Sequence, residues 1–146
     1  MQRAHLGEDG PMDVSLALHA PLTGDRPRVD RERGCLVGSR CTGCESAAWP
    51  ARSVCHRCGS PAVKSEAFRS TGSLVTYTQV WVPRPGLETP YTLGQVHLDG
   101  EGPVVFGHVR TMDPRTRVPR PVVLSLAEDP GEVPWYWFEP RVGTGQ

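Results

Sequence analysis

Four cysteines in the first half of the chain have the spacing of a metal site. They form two CxxC pairs, Cys41 with Cys44 and Cys55 with Cys58, separated by ten residues. Each pair predicts a tight turn with both sulfurs on one side, and two such turns complete a tetrahedron of thiolates around one ion. Four protein ligands leave no position for water or substrate, so the pattern predicts a structural site.

Zinc is the ion that this ligand set favours. Thiolates at about 2.3 Å in a tetrahedral arrangement suit Zn²⁺, which imposes no geometric demand of its own. A rubredoxin-type iron site is the alternative, because its sulfur geometry is nearly the same; the charged residues around the cysteines favour zinc. The fifth cysteine, Cys35, has no partner base in the sequence and is interpreted as a small, semi-buried hydrophobic residue.

The segment that contains the cysteines is too poor in apolar residues to fold by hydrophobic burial alone. Zinc binding supplies roughly 10–16 kcal/mol of apparent folding free energy in comparable sites. We therefore assign residues 34–65 to a metal-stabilised ribbon. Residues 1–33 are polar and rich in turn formers, and we interpret them as an N-terminal arm with one short helix around Asp13–His19. This arm is either a loose tail or a segment that packs on a partner.

Residues 66–146 change to short β-type runs, and the fifteen prolines and sixteen glycines of the chain argue against a helical bundle. Five strands in so short a segment predict a small closed antiparallel barrel, because an open sheet would leave two exposed edges. The five-stranded OB-fold barrel is the preferred candidate, ahead of a sandwich. The predicted strands are Leu74–Val82, Tyr91–Leu98, Pro103–Thr111, Pro121–Leu126 and Val133–Phe138, with a glycine-rich hairpin turn at Asp99–Gly102.

Four consecutive aromatic residues occupy the last predicted strand. The alternation of a strand places Trp135 and Trp137 on one face and Tyr136 and Phe138 on the other. One pair can fill the barrel. The other pair then lies outside, either packed under the ribbon or the arm, or exposed as a docking surface.

Charge and hydropathy limit the partners of the chain. The 146 residues include 16 basic and 16 acidic side chains, and this zero net charge argues against a general nucleic-acid binder and against an anionic membrane surface. Arg110, Arg115, Arg117 and Arg120 form the one basic cluster, interpreted as a solvated turn. Single-stranded nucleic-acid binding stays the alternative function, because zinc ribbons and OB barrels both bind oligonucleotides. The N-terminus lacks a basic leader and no segment reaches transmembrane length, so we expect a cytoplasmic protein.

The order of these features resembles the zinc-ribbon OB-fold proteins, a family long labelled a domain of unknown function and associated with acyl-CoA metabolism. The resemblance covers residues 34–140. Its landmarks are Leu36-x-x-Ser39-Arg40 before the first CxxC pair, Trp49-Pro50-Ala51-Arg52 between the pairs, Thr71–Thr78 and Pro90-Tyr91 at strand starts, and a closing Phe138-Glu139-Pro140.

The resemblance implies a mainly-β chain with a rubredoxin-like zinc ribbon followed by a five-stranded OB-fold barrel. It implies that Cys41, Cys44, Cys55 and Cys58 are the zinc ligands. It also implies a non-catalytic subunit that partners a thiolase-like catalytic subunit, in an acyltransferase or aldolase complex acting on acyl-CoA or on polyketide or steroid-type acyl substrates. Such a subunit stabilises the assembly and helps to line the route of the CoA or acyl group. The sequence agrees, since it contains no complete catalytic motif.

Two positions depart from the family pattern. The family often has glycine after the second cysteine and proline after the third, where this chain has Glu45 and His56. Neither change removes a ligand, but both leave open how the knuckles turn. The proline-rich connection Pro83–Pro90 is expected at a barrel rim, where Arg84 is the candidate for contact with a CoA phosphate. The favoured interpretation of this connection is a stiff loop that shapes the interface with the partner.

Overall fold

A computed structural model describes residues 28–110, 112–129 and 131–142 of the chain. Its regular elements are nine strands in two sheets. The helix expected around Asp13–His19 lies outside the described residues, and the described part contains no helix with the length and hydropathy to cross a membrane. The strands are β1 (Arg28–Asp30), β2 (Cys35–Cys41), β3 (Ala47–Ala48), β4 (Val63–Ala67), β5 (Thr71–Val80), β6 (Tyr91–Leu98), β7 (Val104–Val109), β8 (Arg120–Leu126) and β9 (Tyr136–Pro140).

The ribbon is a small antiparallel sheet built around β2. This strand pairs with β1, β3 and β4, and Arg40 is opposite both Ala47 and Lys64 in the register. The first cysteine pair begins at Cys41, the last residue of β2, and ends in the loop to β3, and the loop from β3 to β4 carries the second pair. The sheet begins at Arg28–Asp30, within the segment that the sequence division assigns to the N-terminal arm. The central strand therefore positions both metal-binding turns.

The second sheet is a closed barrel in the order β5-β6-β7-β9-β8, with β8 returning to β5. The predicted mainly-β fold, a ribbon followed by a five-stranded barrel, is confirmed. The expectation of a purely antiparallel barrel is wrong for one strand pair, because β7 and β9 are parallel. A ring with an odd number of strands cannot alternate direction all the way round, so five strands require at least one parallel pair.

Ribbon and barrel share one hydrophobic core. Leu36 of β2 is 0% exposed, and Phe68, which follows β4, packs with it against the inward residues of the barrel. The Phe68 amide also donates to the Leu36 carbonyl at 2.9 Å. Folding of the two parts is therefore coupled through the same buried surface. The core residues are Leu36, Phe68, Leu74, Val96, Leu98, Val105, Val109, Val122, Leu124 and Phe138.

The aromatic run that begins at Trp135 and continues into β9 lies at the contact between ribbon and barrel. Tyr136 and Phe138 are the inward pair, and Tyr136 meets Trp49 of the ribbon edge-on with ring centroids 5.3 Å apart. The Trp135 ring also packs on the Trp49 ring, with centroids 6.2 Å apart, so Trp135 lies against the ribbon. Trp137 lies beneath the Arg110 guanidinium, 3.8 Å from the ring centroid.

The parallel pair β7 and β9 is held together by the Tyr136 side chain as well as by strand pairing. β9 pairs with β7 at His108 and Val109, and beyond this point the Tyr136 hydroxyl donates to the Phe106 carbonyl at 2.7 Å. Burial raises the pKa of Tyr136 to about 12, so the hydroxyl keeps its proton. Gly107 permits the contact, since a Cβ there would lie 2.8 Å from the Tyr136 ring.

Candidate metal centre

The structure brings the four predicted metal ligands together. The Sγ atoms of Cys41, Cys44, Cys55 and Cys58 all lie within 4.8 Å of one another. The distances across the two turns are 3.6 Å for Cys41 to Cys58 and 3.6 Å for Cys44 to Cys55. A regular tetrahedron of sulfurs at the Zn–S distance of about 2.3 Å has edges of about 3.8 Å. The four thiols therefore fit around one tetrahedral ion.

The first cysteine pair forms a turn in which backbone amides point at sulfur. The amides of Gly43 and Cys44 donate to the Cys41 Sγ at 3.3 and 3.5 Å. The Glu45 amide donates to the Cys41 carbonyl at 3.0 Å, and Glu45 has a φ of 63°. This left-handed residue turns the chain away from the cage toward β3.

The turn at the second cysteine pair has the same set of hydrogen bonds as the turn at the first. The amides of Arg57 and Cys58 donate to the Cys55 Sγ at 3.3 and 3.5 Å. The Gly59 amide donates to the Cys55 carbonyl at 3.0 Å, and Gly59 has a φ of 78°. Both knuckles therefore turn the same way, with Glu45 in the position where the second knuckle has glycine. Glu45 and His56, the two departures from the family pattern, are thus compatible with the same turn in both knuckles.

The cage electrostatics favour ionised sulfur at two of the four positions. Hydrogen bonds from the Cys58 and Arg57 amides lower the pKa of Cys55 to about 6, and those from Cys44 and Gly43 lower the pKa of Cys41. The Ser60 amide also favours the Cys58 thiolate, but the Cys41 sulfur and burial outweigh it and raise the pKa of Cys58 to about 11. Four thiolates this close repel one another unless a cation lies between them.

One side chain beside the cage makes an extended set of polar contacts. Arg40 precedes Cys41 on β2, and its Nε lies 2.9 Å from both carboxylate oxygens of Glu66 on β4. A third hydrogen bond joins its Nη2 to Glu66 Oε2 at 2.7 Å. The Arg40 hydrogen bonds lower the pKa of Glu66 despite partial burial of the carboxylate. Sequence inspection did not single out Arg40 as functional, because its partner is 26 residues away.

The acid stability of the protein is expected to depend on this pair. Because the pKa of Glu66 is lowered in the folded protein, the pair stabilises the fold above the ordinary glutamate pKa of about 4.3. The contribution is lost as the pH falls through that value toward the lowered pKa. Glu66→Gln should therefore cost about 1 kcal/mol of unfolding free energy at pH 7 and progressively less below pH of about 4. Urea titrations at several pH values measure this, and parallel pH profiles for the two proteins would contradict it.

The other candidate residue, Arg84, belongs to the barrel and not to the ribbon. It is exposed in the loop between β5 and β6, where its carbonyl accepts the Leu87 amide at 3.0 Å. Arg84 lines a cavity of about 420 Å³ together with Leu87, Tyr91 and His108. A larger cavity of about 730 Å³ is also lined by Leu87, Tyr91 and His108, and in addition by Arg110. The predicted loop at the barrel rim thus borders two cavities.

His108 is a residue whose position the sequence did not reveal. It lies on β7 between the two cavities, with its ring 5.5 Å from that of Tyr91. Burial chiefly, and then the Arg110 charge, lower the pKa of His108, so the imidazole is neutral at pH 7. A lone histidine on a predicted strand carries no signal that it faces a cavity. Cys35, interpreted from the sequence as a small, semi-buried hydrophobic residue, is fully buried at 4% exposed and lies outside the cage.

Comparison with known proteins supports the ribbon directly. Residues 30–64 match the family model described as ChsH2, rubredoxin-like zinc ribbon domain. Together with the sulfur cage, this match bears out structural zinc as the cofactor that the site suits.

Two curated relatives are DUF35 domain-containing scaffold proteins. The one from Pyrococcus furiosus is 35% identical over 86 residues, which is 58% of this chain and 62% of that protein. The one from Methanocaldococcus jannaschii is 32% identical over 82 residues, which is 54% of this chain and 57% of that protein. The matched part thus spans less than two thirds of the length of either relative.

Two solved structures share the fold. A chain of the Ltp2-ChsH2(DUF35) aldolase matches with a TM-score of 0.59 and 27% identity, over 79% of this chain and 98% of that chain. A DUF35-family protein of unknown function from Sulfolobus solfataricus matches with a TM-score of 0.52 and 15% identity, over 75% of this chain and 78% of that one. The second likeness concerns the fold alone. The resemblance drawn from the sequence is confirmed by these matches.

Proposed function

We propose that this chain, which carries a ChsH2-type zinc ribbon and is a homologue of DUF35 domain-containing scaffold proteins, is a non-catalytic scaffold subunit of a thiolase-superfamily acyltransferase or aldolase complex. The observation that carries the proposal is the structural match to the Ltp2-ChsH2(DUF35) aldolase. Ribbon and barrel together reproduce 98% of the matched chain of that aldolase. The matched region is therefore long enough to include both the ribbon and the barrel.

The chemistry of the described residues supports a scaffold role. Within the described ranges, the four-cysteine cage is the one group of three or more Cys, His, Asp or Glu side chains close enough to share an ion. We propose Cys41, Cys44, Cys55 and Cys58 as the zinc ligands. A zinc ion with four thiolates is coordinatively closed and serves structure. Thiols in such a site remain available for metal in a reducing compartment, which supports a cytoplasmic location.

The barrel rim is the region that we propose faces the catalytic subunit. Trp81 and Val82, at the start of the loop that contains Arg84, expose 67% and 68% of their surface. Exposed apolar residues next to cavities mark contact sites for other molecules. The adjacent 730 Å³ cavity is lined by polar groups including Tyr91 and Arg110. Such a lining suits the polar part of a CoA thioester better than an acyl chain.

The test is purification of the tagged chain with the products of its neighbouring genes. We expect a larger thiolase-type subunit, identified by mass spectrometry, to co-purify in a fixed ratio and to turn over an acyl-CoA substrate only in the complex. The chain alone should turn over no acyl-CoA thioester. Turnover by the isolated chain would overturn the proposal, and so would salt-dependent binding of single-stranded DNA or RNA at physiological ionic strength in place of a protein partner.

A further inference from the structure

Two residues of the described chain have a left-handed backbone without being glycine. They are Glu45, with φ 63°, and Glu101, with φ 58°. This conformation is unfavourable for a residue that has a Cβ, so surrounding contacts must maintain it. Glu45 ends the first metal knuckle, and Glu101 lies in the turn between β6 and β7 of the barrel. The two strained positions thus belong to the two different parts of the protein.

One guanidinium group binds the carbonyls of both residues. Arg40 Nη1 donates to the Glu45 carbonyl at 2.7 Å, and Arg40 Nη2 donates to the Glu101 carbonyl at 3.2 Å. The remaining donor, Nε, is directed at Glu66, whose carboxylate also accepts from Nη2. The Arg40 side chain is 14% exposed. Glu66 therefore fixes the orientation of the guanidinium, and Nη1 and Nη2 reach the turns that contain Glu45 and Glu101.

We propose that Arg40 is a positioning residue that holds the first knuckle in its metal-binding shape and connects this knuckle to the β6–β7 turn of the barrel. The inference is independent of the proposed scaffold function, because it concerns contacts within this chain. The first knuckle and the barrel are then connected through a single side chain as well as through the shared core.

The geometry explains why the linking residue is arginine. A guanidinium is planar and carries five N–H donors in a fixed fork, so it can serve a carboxylate and two carbonyls at once. The ammonium of lysine is a compact group on a flexible stem and cannot hold three acceptors in this arrangement. The Glu66 hydrogen bond chiefly raises the pKa of Arg40, and the Glu101 and Glu45 carboxylates add to this effect. The charge is thus permanent.

The second knuckle supplies an internal comparison. Its left-handed residue is Gly59, which adopts φ 78° without steric cost. Glu45 occupies the equivalent position in the first knuckle and has a Cβ, so the first knuckle needs the support that Arg40 provides. Substitution of Glu45 by glycine should therefore make the first knuckle independent of Arg40.

The first experiment measures zinc release from the full-length, zinc-loaded chain to a chromogenic chelator. Arg40→Met is expected to accelerate release by about 5–20-fold, the effect of losing one or two charge-assisted hydrogen bonds. The double variant Arg40→Met with Glu45→Gly should return to within about twofold of the parent. Arg33→Met is the matched control, since the Arg33 side chain is 67% exposed and its Asp30 contact is long, at 3.9 Å.

Either of two results would overturn the role of Arg40 at the knuckle. One is unchanged release from Arg40→Met, and the other is faster release that Glu45→Gly does not reverse. Should Arg40→Met fail to fold, Arg40→Lys keeps a charge beside Glu66 and lacks the fork, and it is expected to show the same acceleration and the same rescue by Glu45→Gly.

The second experiment measures the link to the barrel by amide hydrogen exchange. The Gly102 amide donates to the Leu98 carbonyl at 3.1 Å in the β6–β7 turn, and the Leu87 amide lies in the loop at the opposite end of β6. In the zinc-loaded chain, Arg40→Lys should accelerate exchange at Gly102 about fivefold or more relative to Leu87, because the contact with the Glu101 carbonyl is lost while the ribbon stays folded. Arg33→Met should change this ratio by less than about twofold. An unchanged ratio in Arg40→Lys would overturn the proposed link to the β6–β7 turn.

Discussion

Replacement of Cys55 by serine is expected to abolish tight zinc binding and to unfold the ribbon. The Cys55 sulfur accepts two backbone amides and lies 3.6 Å from the Cys44 sulfur, so it is a central part of the cage. Structural zinc contributes roughly 10–16 kcal/mol of apparent folding free energy, which is as large as the whole stability of a typical domain, about 5–15 kcal/mol. The measurement is metal content per chain by mass spectrometry, together with amide hydrogen exchange in β2 and β4 of the ribbon.

The matched control is Cys35→Ala. Cys35 is as buried as the cage cysteines Cys41 and Cys55 but lies outside the cage, so this variant should keep one zinc per chain. A Cys55→Ser protein that still holds one tightly bound zinc would contradict the assignment of ligands. A parent protein that is isolated with iron in the four-sulfur site would contradict the choice of metal.

The cage is the part of the molecule that the sequence predicts best, because its geometry is local. A CxxC turn is closed by amides two and three residues after the first cysteine, as at Cys41 and Cys55, so short-range spacing fixes where the sulfurs point. The strand Tyr91–Leu98 is reproduced at both ends for a similar reason: Pro90 precedes it and the Asp99–Gly102 turn follows it. Local chemistry sets both boundaries.

Features that depend on distant contacts were not predictable in the same way. The hydrogen bond from Arg40 to the Glu101 carbonyl joins residues 61 positions apart, and no local sequence pattern predicts it. The alternation of β9 predicts that Tyr136 and Phe138 share a face, but which face turns inward depends on the position of Trp49 in another sheet. The last strand also begins at Tyr136 rather than at Val133, since Pro134 has no amide hydrogen for a ladder.

Replacement of Phe138 by alanine is expected to destabilise the whole chain by about 3–5 kcal/mol, the usual cost of removing a buried phenylalanine ring. Phe138 is 0% exposed and lies on β9 between the parallel partner Val109 and the antiparallel partner Leu124. Its ring therefore fills the barrel where the direction of the strands changes. Urea denaturation of the zinc-saturated protein, followed by circular dichroism, measures the loss of unfolding free energy.

The same variant tests whether ribbon and barrel unfold together. Because Leu36 of the ribbon packs in the core that contains Phe138, we expect one transition, shifted equally when it is followed by circular dichroism and by zinc release to a chromogenic chelator. Val142→Ala is the control, since Val142 lies just beyond β9 and is 92% exposed, and its effect should be within about 0.5 kcal/mol. A Phe138→Ala protein that loses the barrel transition while the cage keeps its zinc would show that zinc holds the ribbon without the barrel. The shared core would then be a contact surface between two independently folding parts.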